Sequence, residues 1–236
     1  IDAAGLSVVN TFTGLNTFSQ DLTVNSIKVG RGGGSLFNNV VVSNNGLSVN
    51  VGGSNNVTVG YNCLNSNTSG SNNIASGTNS LSSNTSGGNN ICSGTNSLNS
   101  NINGNSNVAL GTSSLISNID GDDNIAVGGD SLGSNVNGYK NSAHGISSLF
   151  ANIDGYENSA IGASSLVSLV SGFRNAAIGR FAGINVVDSS ESVFVGYNSS
   201  GLTTSSFNEL VVGSNAIGKG SNTAKYGHTT ITDSYF

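Results

Sequence analysis

Residues 73–89 read NIASGTNSLSSNTSGGN, and the next seventeen residues, 90–106, read NICSGTNSLNSNINGNS. The leading asparagine returns at every seventeenth position from Asn56 to Asn175 without insertion or deletion. The pattern continues more weakly at Ser192 and Glu209 and reaches back to Asn39, which gives about eleven copies over residues 39–225. A period of this kind is typical of proteins built from stacked units.

The segment that opens each copy, N-[IV]-A-x-G, predicts a short strand followed by a glycine corner. Because its apolar residues alternate, we expect burial on both faces, with small side chains such as Ala75 and Cys92 on one of them. One leucine per copy predicts a single large apolar side chain inside each unit.

The stretch S-L-x-S-N is open to two interpretations, a second strand or one short helical turn. A recurring asparagine predicts a ladder of side-chain amides, formed by Asn67, Asn84, Asn101, Asn118, Asn135 and Asn152.

Short strands at this period, with no room for a helix between them, predict an all-β fold. We expect a parallel β-solenoid or β-roll of about eleven 17-residue coils. Stacked coils lie about 4.8 Å apart, so the rod would be roughly 50 Å long. Two series of residues at equivalent positions support stacking, since such residues become neighbours in space. They are the alternating charges Asp123, Lys140, Glu157 and Arg174, and the aromatic residues Tyr139, Tyr156 and Phe173.

A coil of 17 residues encloses little volume, so a single chain would have a thin core. The strand is nevertheless apolar on both faces, and its second face needs a partner. Another copy of the same chain is the simplest one. The sequence therefore predicts a parallel homotrimer, intertwined or side by side, that buries either the alanine face or the Ile/Val face between chains.

The composition argues against several classes of protein. Of 236 residues, 42 are Ser, 38 are Asn and 34 are Gly, while only 19 are charged and the formal net charge is −5. Nucleic acid is not an expected partner, because phosphate binding depends on clustered Lys and Arg. Two His, two Cys and few acids predict no enzyme, no cofactor and no metal site. No apolar run approaches the roughly 18 residues of a membrane span, and no signal peptide is visible.

Repeats of the form N-[IV]-A-x-G-x-x-S-L-x-S-N-x-x-G resemble the shaft repeats of bacteriophage tail fibres over residues 39–225. They are more distantly similar to the head repeats of trimeric autotransporter adhesins, which are left-handed parallel β-rolls. Residues 1–38 look like the linker and entry segment that precedes fibre domains. The tail, residues 226–236, is similar to the lead-in to an intramolecular chaperone domain, whose own sequence is not seen.

The resemblance implies a structural shaft that takes part in host-cell attachment and is located in the virion. Its partners would be two further copies of the chain, other virion tail components, and a host cell-surface glycan or protein receptor. A bacterial trimeric surface adhesin and a polysaccharide-degrading tailspike are the alternatives. A tailspike needs paired acids, and Asp120 and Asp154 are in phase two coils apart, roughly 9–10 Å by the stacking distance. We favour the interpretation that these aspartates form turns; a calcium clamp at Asp120, Asp122 and Asp123 is a third one.

Other chemical motifs favour structural interpretations. Residues 213–219 nearly match a phosphate-binding loop, but Gly220 stands where Ser or Thr would hold magnesium. The glycine run at 30–34 predicts a flexible entry to the rod. His144 is predicted to be either a tolerated residue or one that faces the trimer. Cys63 and Cys92 are predicted to be small core residues two coils apart, too far for a disulfide within one chain. A threonine array for ice binding is weak because Thr78, Thr95 and Thr112 cover only three coils.

Binding specificity is predicted where the repeat degrades, because regular coils offer no distinctive surface. Between residues 180 and 208 large side chains replace small polar ones, and the tail adds further aromatic residues. We predict no catalytic residues. The candidate receptor contacts are Arg180, Phe181, Tyr197, Tyr226, His228 and Tyr235.

Overall fold

The computed structural model describes residues 22–30 and 38–228, and in these residues it contains strands and turns but no helix. Fourteen strands form one sheet in which neighbours follow chain order. No described segment is a helix long and apolar enough to cross a membrane. The strands are β1 (Leu22–Val24), β2 (Ile27–Gly30), β3 (Val40–Asn44), β4 (Val57–Tyr61), β5 (Ile74–Ser76), β6 (Ile91–Ser93), β7 (Val108–Leu110), β8 (Ile125–Val127), β9 (Ser142–His144), β10 (Ser159–Ile161), β11 (Ala176–Ile178), β12 (Val193–Val195), β13 (Leu210–Val212) and β14 (Ala224–Tyr226).

Strands β3 to β14 pair in parallel, one strand per coil. Ile74 lies opposite Ile91 and Ala75 opposite Cys92, which is the predicted 17-residue offset. The predicted parallel β-solenoid of about eleven coils is therefore confirmed. At the other edge of β3 the pairing is antiparallel, because β1 and β2 form a hairpin whose second strand pairs with β3. This hairpin covers the N-terminal edge of the stack.

The final step of the stack is shorter than the others. Leu210 pairs with Ala224, an offset of 14 residues. The bridge between Ser200 and Ile217 still has the 17-residue offset, so the three missing residues belong to the second turn of the last coil. The 17-residue period that was predicted up to residue 225 therefore ends at β13.

Each strand points one side chain into the coil and two outward. The inward residue is fully buried and is usually alanine, as at Ala126 and Ala143. The outward residues are exposed: Ile74, Ile91, Ile161 and Ile178 keep 42–50% of their surface accessible. Within one chain only the inner face is buried, because a coil has a single interior and no described segment covers the outer face. Burial of the outer face against another chain stays a prediction.

The stretch S-L-x-S-N is neither the second strand nor the helical turn of the two predictions. It is a turn in which the leucine takes a left-handed φ, between +48° and +53° in all eight coils from Leu47 to Leu166. This backbone geometry points the leucine into the coil, where it is completely buried. The turn still stacks on the next coil, since the N–H of Leu81 donates to the carbonyl of Ser97 at 3.0 Å.

The predicted asparagine ladder is confirmed, and it begins one coil earlier, at Asn50. The Asn118 amide shows a typical step: its Nδ2 donates to Oδ1 of Asn101 at 2.8 Å and to the carbonyl of Gly121 at 3.0 Å. Both amide protons are therefore used inside the coil. These asparagines have no exposed surface except Asn50 at 2%, so Asn67 and Asn84 in the glycosylation-like motifs at 67–69 and 84–86 are inaccessible.

A second ladder, not predicted from the sequence, is formed by the asparagines that open each copy. The N–H of Asn124 donates to Oδ1 of Asn107 at 3.0 Å, and its Nδ2 donates to the carbonyl of Gly138 at 2.7 Å. The same carbonyl accepts from Nδ2 of Asn135 at 3.0 Å. The two ladders thus converge on one glycine carbonyl per coil, which satisfies a polar interior without water.

Candidate functional site

The region where the repeat degrades brings together three of the predicted contact residues. Arg180 follows the corner glycine of β11, and Tyr197 holds the equivalent position one coil later. The Arg180 guanidinium carbon lies 4.4 Å from the centroid of the Phe181 ring. The rings of Phe181 and Tyr197 meet edge to face, with centroids 6.2 Å apart and planes at 62°. We call Arg180, Phe181 and Tyr197 the Arg–aromatic cluster.

Phe181 has an unusual backbone for an aromatic residue. Its φ is +61°, in the left-handed region that large side chains rarely adopt. Asparagine, serine or aspartate occupies this position in the other coils, as at Asn96, Ser113 and Asp130. Asn198 holds this position one coil later, and its Nδ2 donates to Oδ1 of Asn215 at 3.0 Å. Phe181 therefore replaces a small polar residue and places a ring at a strained position.

The other predicted contacts lie elsewhere or outside the described residues. Tyr226 closes β14 opposite Val212 and extends the outward strand face at the C-terminal end. It is 46% exposed. His228 follows β14 and is partly exposed. Tyr235 lies outside the described part of the chain.

The predicted charge series lies at the surface, and its ion pairs join Glu157 to Arg174 and extend one coil further, to Glu191. No ion pair involves Asp123 or Lys140 among the described residues. Nε of Arg174 contacts Oε2 of Glu157 at 2.9 Å, and its NH1 atom contacts Oε1 of Glu191 at 3.4 Å. The hydrogen bond and charge of Glu157 raise the pKa of Arg174. Among the described residues, Arg174 forms the ion pairs, whereas Arg180 forms none. The Arg180 guanidinium lies against a ring and has no counter-ion within residues 22–30 and 38–228.

The predicted aromatic stack is also confirmed. The rings of Tyr139 and Tyr156 lie parallel with centroids 4.9 Å apart, and Tyr156 and Phe173 repeat the arrangement at 5.1 Å. These distances equal the spacing of coils in a parallel stack. Lys140 lies 6.0 Å from the Tyr139 ring. The stack fixes the register of three coils at the surface.

The aspartates considered for catalysis, Asp120 and Asp154, are exposed, and Asp120 belongs to a hydrogen-bonded ladder. Asp120 and Asp154 share one face of the rod, with Asn137 in the coil between them. Oδ1 of Asp120 accepts from Nδ2 of Asn103 at 2.8 Å. Oδ1 of Asp122 accepts from the N–H of Asn105 at 2.6 Å. In the described ranges, no group of three or more His, Cys, Asp or Glu is arranged to hold a metal ion.

The phosphate-loop-like segment 213–219 ends against a buried carboxylate. Gly213 is a corner with φ +137°, as in the other coils. Gly218 has no room for a side chain because the Glu209 carboxylate lies against it. Glu209 is fully buried; its Oε1 accepts from the N–H of Gly220 at 2.7 Å, and its Oε2 has no partner among the described residues. A phosphate here would meet a like charge, so this segment does not suit nucleotide binding.

Sequence reasoning missed Glu209, although a signal was present. Glu209 stands at the position of the leading asparagines, which the structure buries in every coil.

The cysteines follow their predictions: Cys63 and Cys92 are free and buried. Burial raises the pKa of Cys63, and raises that of Cys92 to about 12. Neither thiol is therefore reactive at neutral pH. His144 is exposed on the outward strand face.

Comparison of the chain with protein-family models, with curated proteins and with solved structures finds no match.

Proposed function

We propose that this chain is a shaft segment of a trimeric, phage-type tail fibre that helps to hold a virion on its host. One observation carries the proposal. The outward strand face, formed by the first and third residues of β4 to β14, carries exposed Val, Ile or Leu in each strand from β4 to β11 except β9, where Ser142 and His144 take these positions. Exposed apolar surface of this extent is typical of an interface.

Three chains around a common axis are the arrangement that fits this face. The face is straight and regular because the strands stack in register, so parallel copies meet coil for coil. The interior of the regular coils is filled by one leucine, one small residue and asparagine amides, so such a coil adds little apolar burial of its own. Burial of the outward face between chains supplies the apolar burial that a single coil lacks. A uniform rod of this kind suits a mechanical spacer.

The proposal is tested by the mass of the purified protein in solution. Light scattering after size exclusion should give three times the chain mass, and Ile161→Glu together with Ile178→Glu should reduce that mass to one chain. The control is Ile146→Glu, because Ile146 is 64% exposed but lies beyond the strand face. A stable wild-type monomer at micromolar concentration would overturn the proposed trimer.

A second measurement addresses the place of the rod in the virion and the enzymatic alternative. Antibodies against the rod should label phage tails and not the bacterial surface. Incubation with host surface polysaccharide should release no oligosaccharide. Release that disappears in Asp120→Asn or Asp154→Asn would support the tailspike instead.

A further inference from the structure

We infer that the Arg–aromatic cluster is a binding site for a saccharide that carries a carboxylate. The inference deepens the proposed function, because it rests on the attachment role of the fibre and names the chemistry of the ligand. Three independent features of Arg180, Phe181 and Tyr197 point to it: an unpaired guanidinium, an exposed aromatic surface and a strained backbone.

The guanidinium provides the charge. Arg180 is exposed, lies 4.4 Å from the Phe181 ring centroid and forms no ion pair with the described residues. Contact with a ring face leaves the guanidinium charged, and its planar fork presents N–H donors in a fixed geometry. Such a fork binds a carboxylate through two parallel hydrogen bonds. Arg174, six residues earlier, is unsuitable for binding a carboxylate ligand, because its guanidinium already forms ion pairs with Glu157 and Glu191.

The rings provide a surface for a sugar. Tyr197 is 49% exposed and is held edge to face by Phe181. A pyranose has an apolar C–H face and a hydroxyl rim, so it matches a ring that carries its own hydroxyl group. Next to the rings, the side-chain amides of Asn198 and Asn215 form an exposed pair. The cluster begins directly after the corner glycines Gly179 and Gly196.

The backbone indicates that the ring is kept at a cost to stability. Asparagine accepts the left-handed φ at this position in six other coils, at Asn45, Asn62, Asn79, Asn96, Asn198 and Asn215. Phe181 adopts the same left-handed φ, although its side chain lacks the short polar group that makes this conformation tolerable for asparagine. Strain of this kind concentrates at functional sites. Phe181→Asn should therefore raise the melting temperature, because it relieves the strain and restores the donor to Asn198, while it weakens binding.

The test uses the full chain and two probes that differ in one group, methyl β-glucuronide and methyl β-glucoside. Saturation-transfer NMR titrations should show at least fivefold tighter binding of the glucuronide. Arg180→Gln should remove that difference, Tyr197→Ser should abolish binding of both, and Phe181→Asn should weaken binding at least fivefold while melting at a higher temperature. Tyr61→Ser is the matched control, since Tyr61 holds the Tyr197 position in an early coil and should leave binding unchanged.

Several outcomes would overturn the inference. They are no transfer to the wild type, a preference for the glucuronide that survives Arg180→Gln, and transfer that survives Tyr197→Ser. Light scattering on the same samples separates the two proposals. A trimer that binds no sugar would overturn this inference alone, and a monomer that binds sugar through the cluster would overturn the fibre assembly alone.

Discussion

At the scale of the residue, the interior of the rod depends on asparagine side-chain amides that are hydrogen-bonded to the asparagine amides of neighbouring coils. A buried amide without partners is costly, and each asparagine avoids that cost because the coil before it supplies an acceptor. The arrangement has a direction, since each Nδ2 donates towards the N-terminal end. The first ladder therefore ends with an unpaired acceptor, Oδ1 of Asn152, because Leu169 takes the next position.

Two leucines test this account, because the same substitution should have different costs. Leu115→Asn should cost at least about 3 kcal/mol, since it removes the apolar side chain and buries an amide without partners. Leu169→Asn should cost at least about 2 kcal/mol less, because the new Nδ2 can donate to Oδ1 of Asn152. Urea unfolding followed by circular dichroism measures both. Equal losses would show that the ladder does not extend to position 169.

At the scale of the element, three-residue strands are held in place by the corners between them. Gly128 has φ +130°, and a Cβ there would lie 2.6 Å from the carbonyl oxygen of Gly145 in the next coil. Close approach of two backbones, rather than flexibility, requires the glycine. Gly129 directly follows it, yet a Cβ there would meet only the carbonyl oxygen of Thr112, at 3.7 Å.

These adjacent glycines form a matched pair. Gly128→Ala should lower stability by about 3 kcal/mol or more through strain and overpacking. Gly129→Ala should leave it unchanged or raise it by up to about 1 kcal/mol, because alanine restricts the unfolded chain and already occupies the equivalent position at Ala163. Thermal unfolding of the two variants provides the measurement. Similar losses in both would contradict the backbone contact.

The charge series provides a second test of the elements and their register. Lys140→Glu places three negative charges in consecutive coils, at Asp123, position 140 and Glu157. Because these side chains are at the surface, the loss should be below about 1 kcal/mol. It should disappear at about 1 M salt, where screening is strong. Lys140→Gln is the control, since it removes the charge without adding repulsion. No difference between the two variants at low salt would argue against stacked charges.

At the scale of the whole molecule, the exposed strand face couples stability to assembly. If three chains bury this face, the folded state is favoured by mass action. The melting temperature should then rise with protein concentration, and Ile161→Glu should lower it and remove the dependence. Ile146→Glu should retain the concentration dependence of the wild type. A melting temperature that is constant over a hundredfold dilution would contradict a reversible trimer.

The period of the sequence was enough to predict the stack. Residues separated by 17 positions become neighbours in a parallel solenoid, so the Asn67–Asn152 ladder, the Tyr139–Phe173 stack and the charge series followed from spacing alone. Arg180, Phe181 and Tyr197 were also visible, because they replace small polar residues in an otherwise regular pattern. Spacing identifies which residues stack, since each 17-residue repeat places equivalent residues on neighbouring coils.

Only the tertiary structure decided which way the side chains point within a coil. That direction depends on how the coil closes, and it closes through left-handed residues such as Leu81 and Asn79 that no apolar pattern reveals. The turn geometry of S-L-x-S-N, the exposure of the Ile/Val face, the burial of Glu209 and the second asparagine ladder all follow from that closure. The contact of Arg180 with Phe181 has the same origin, because the φ of +61° at Phe181 sets where its ring lies.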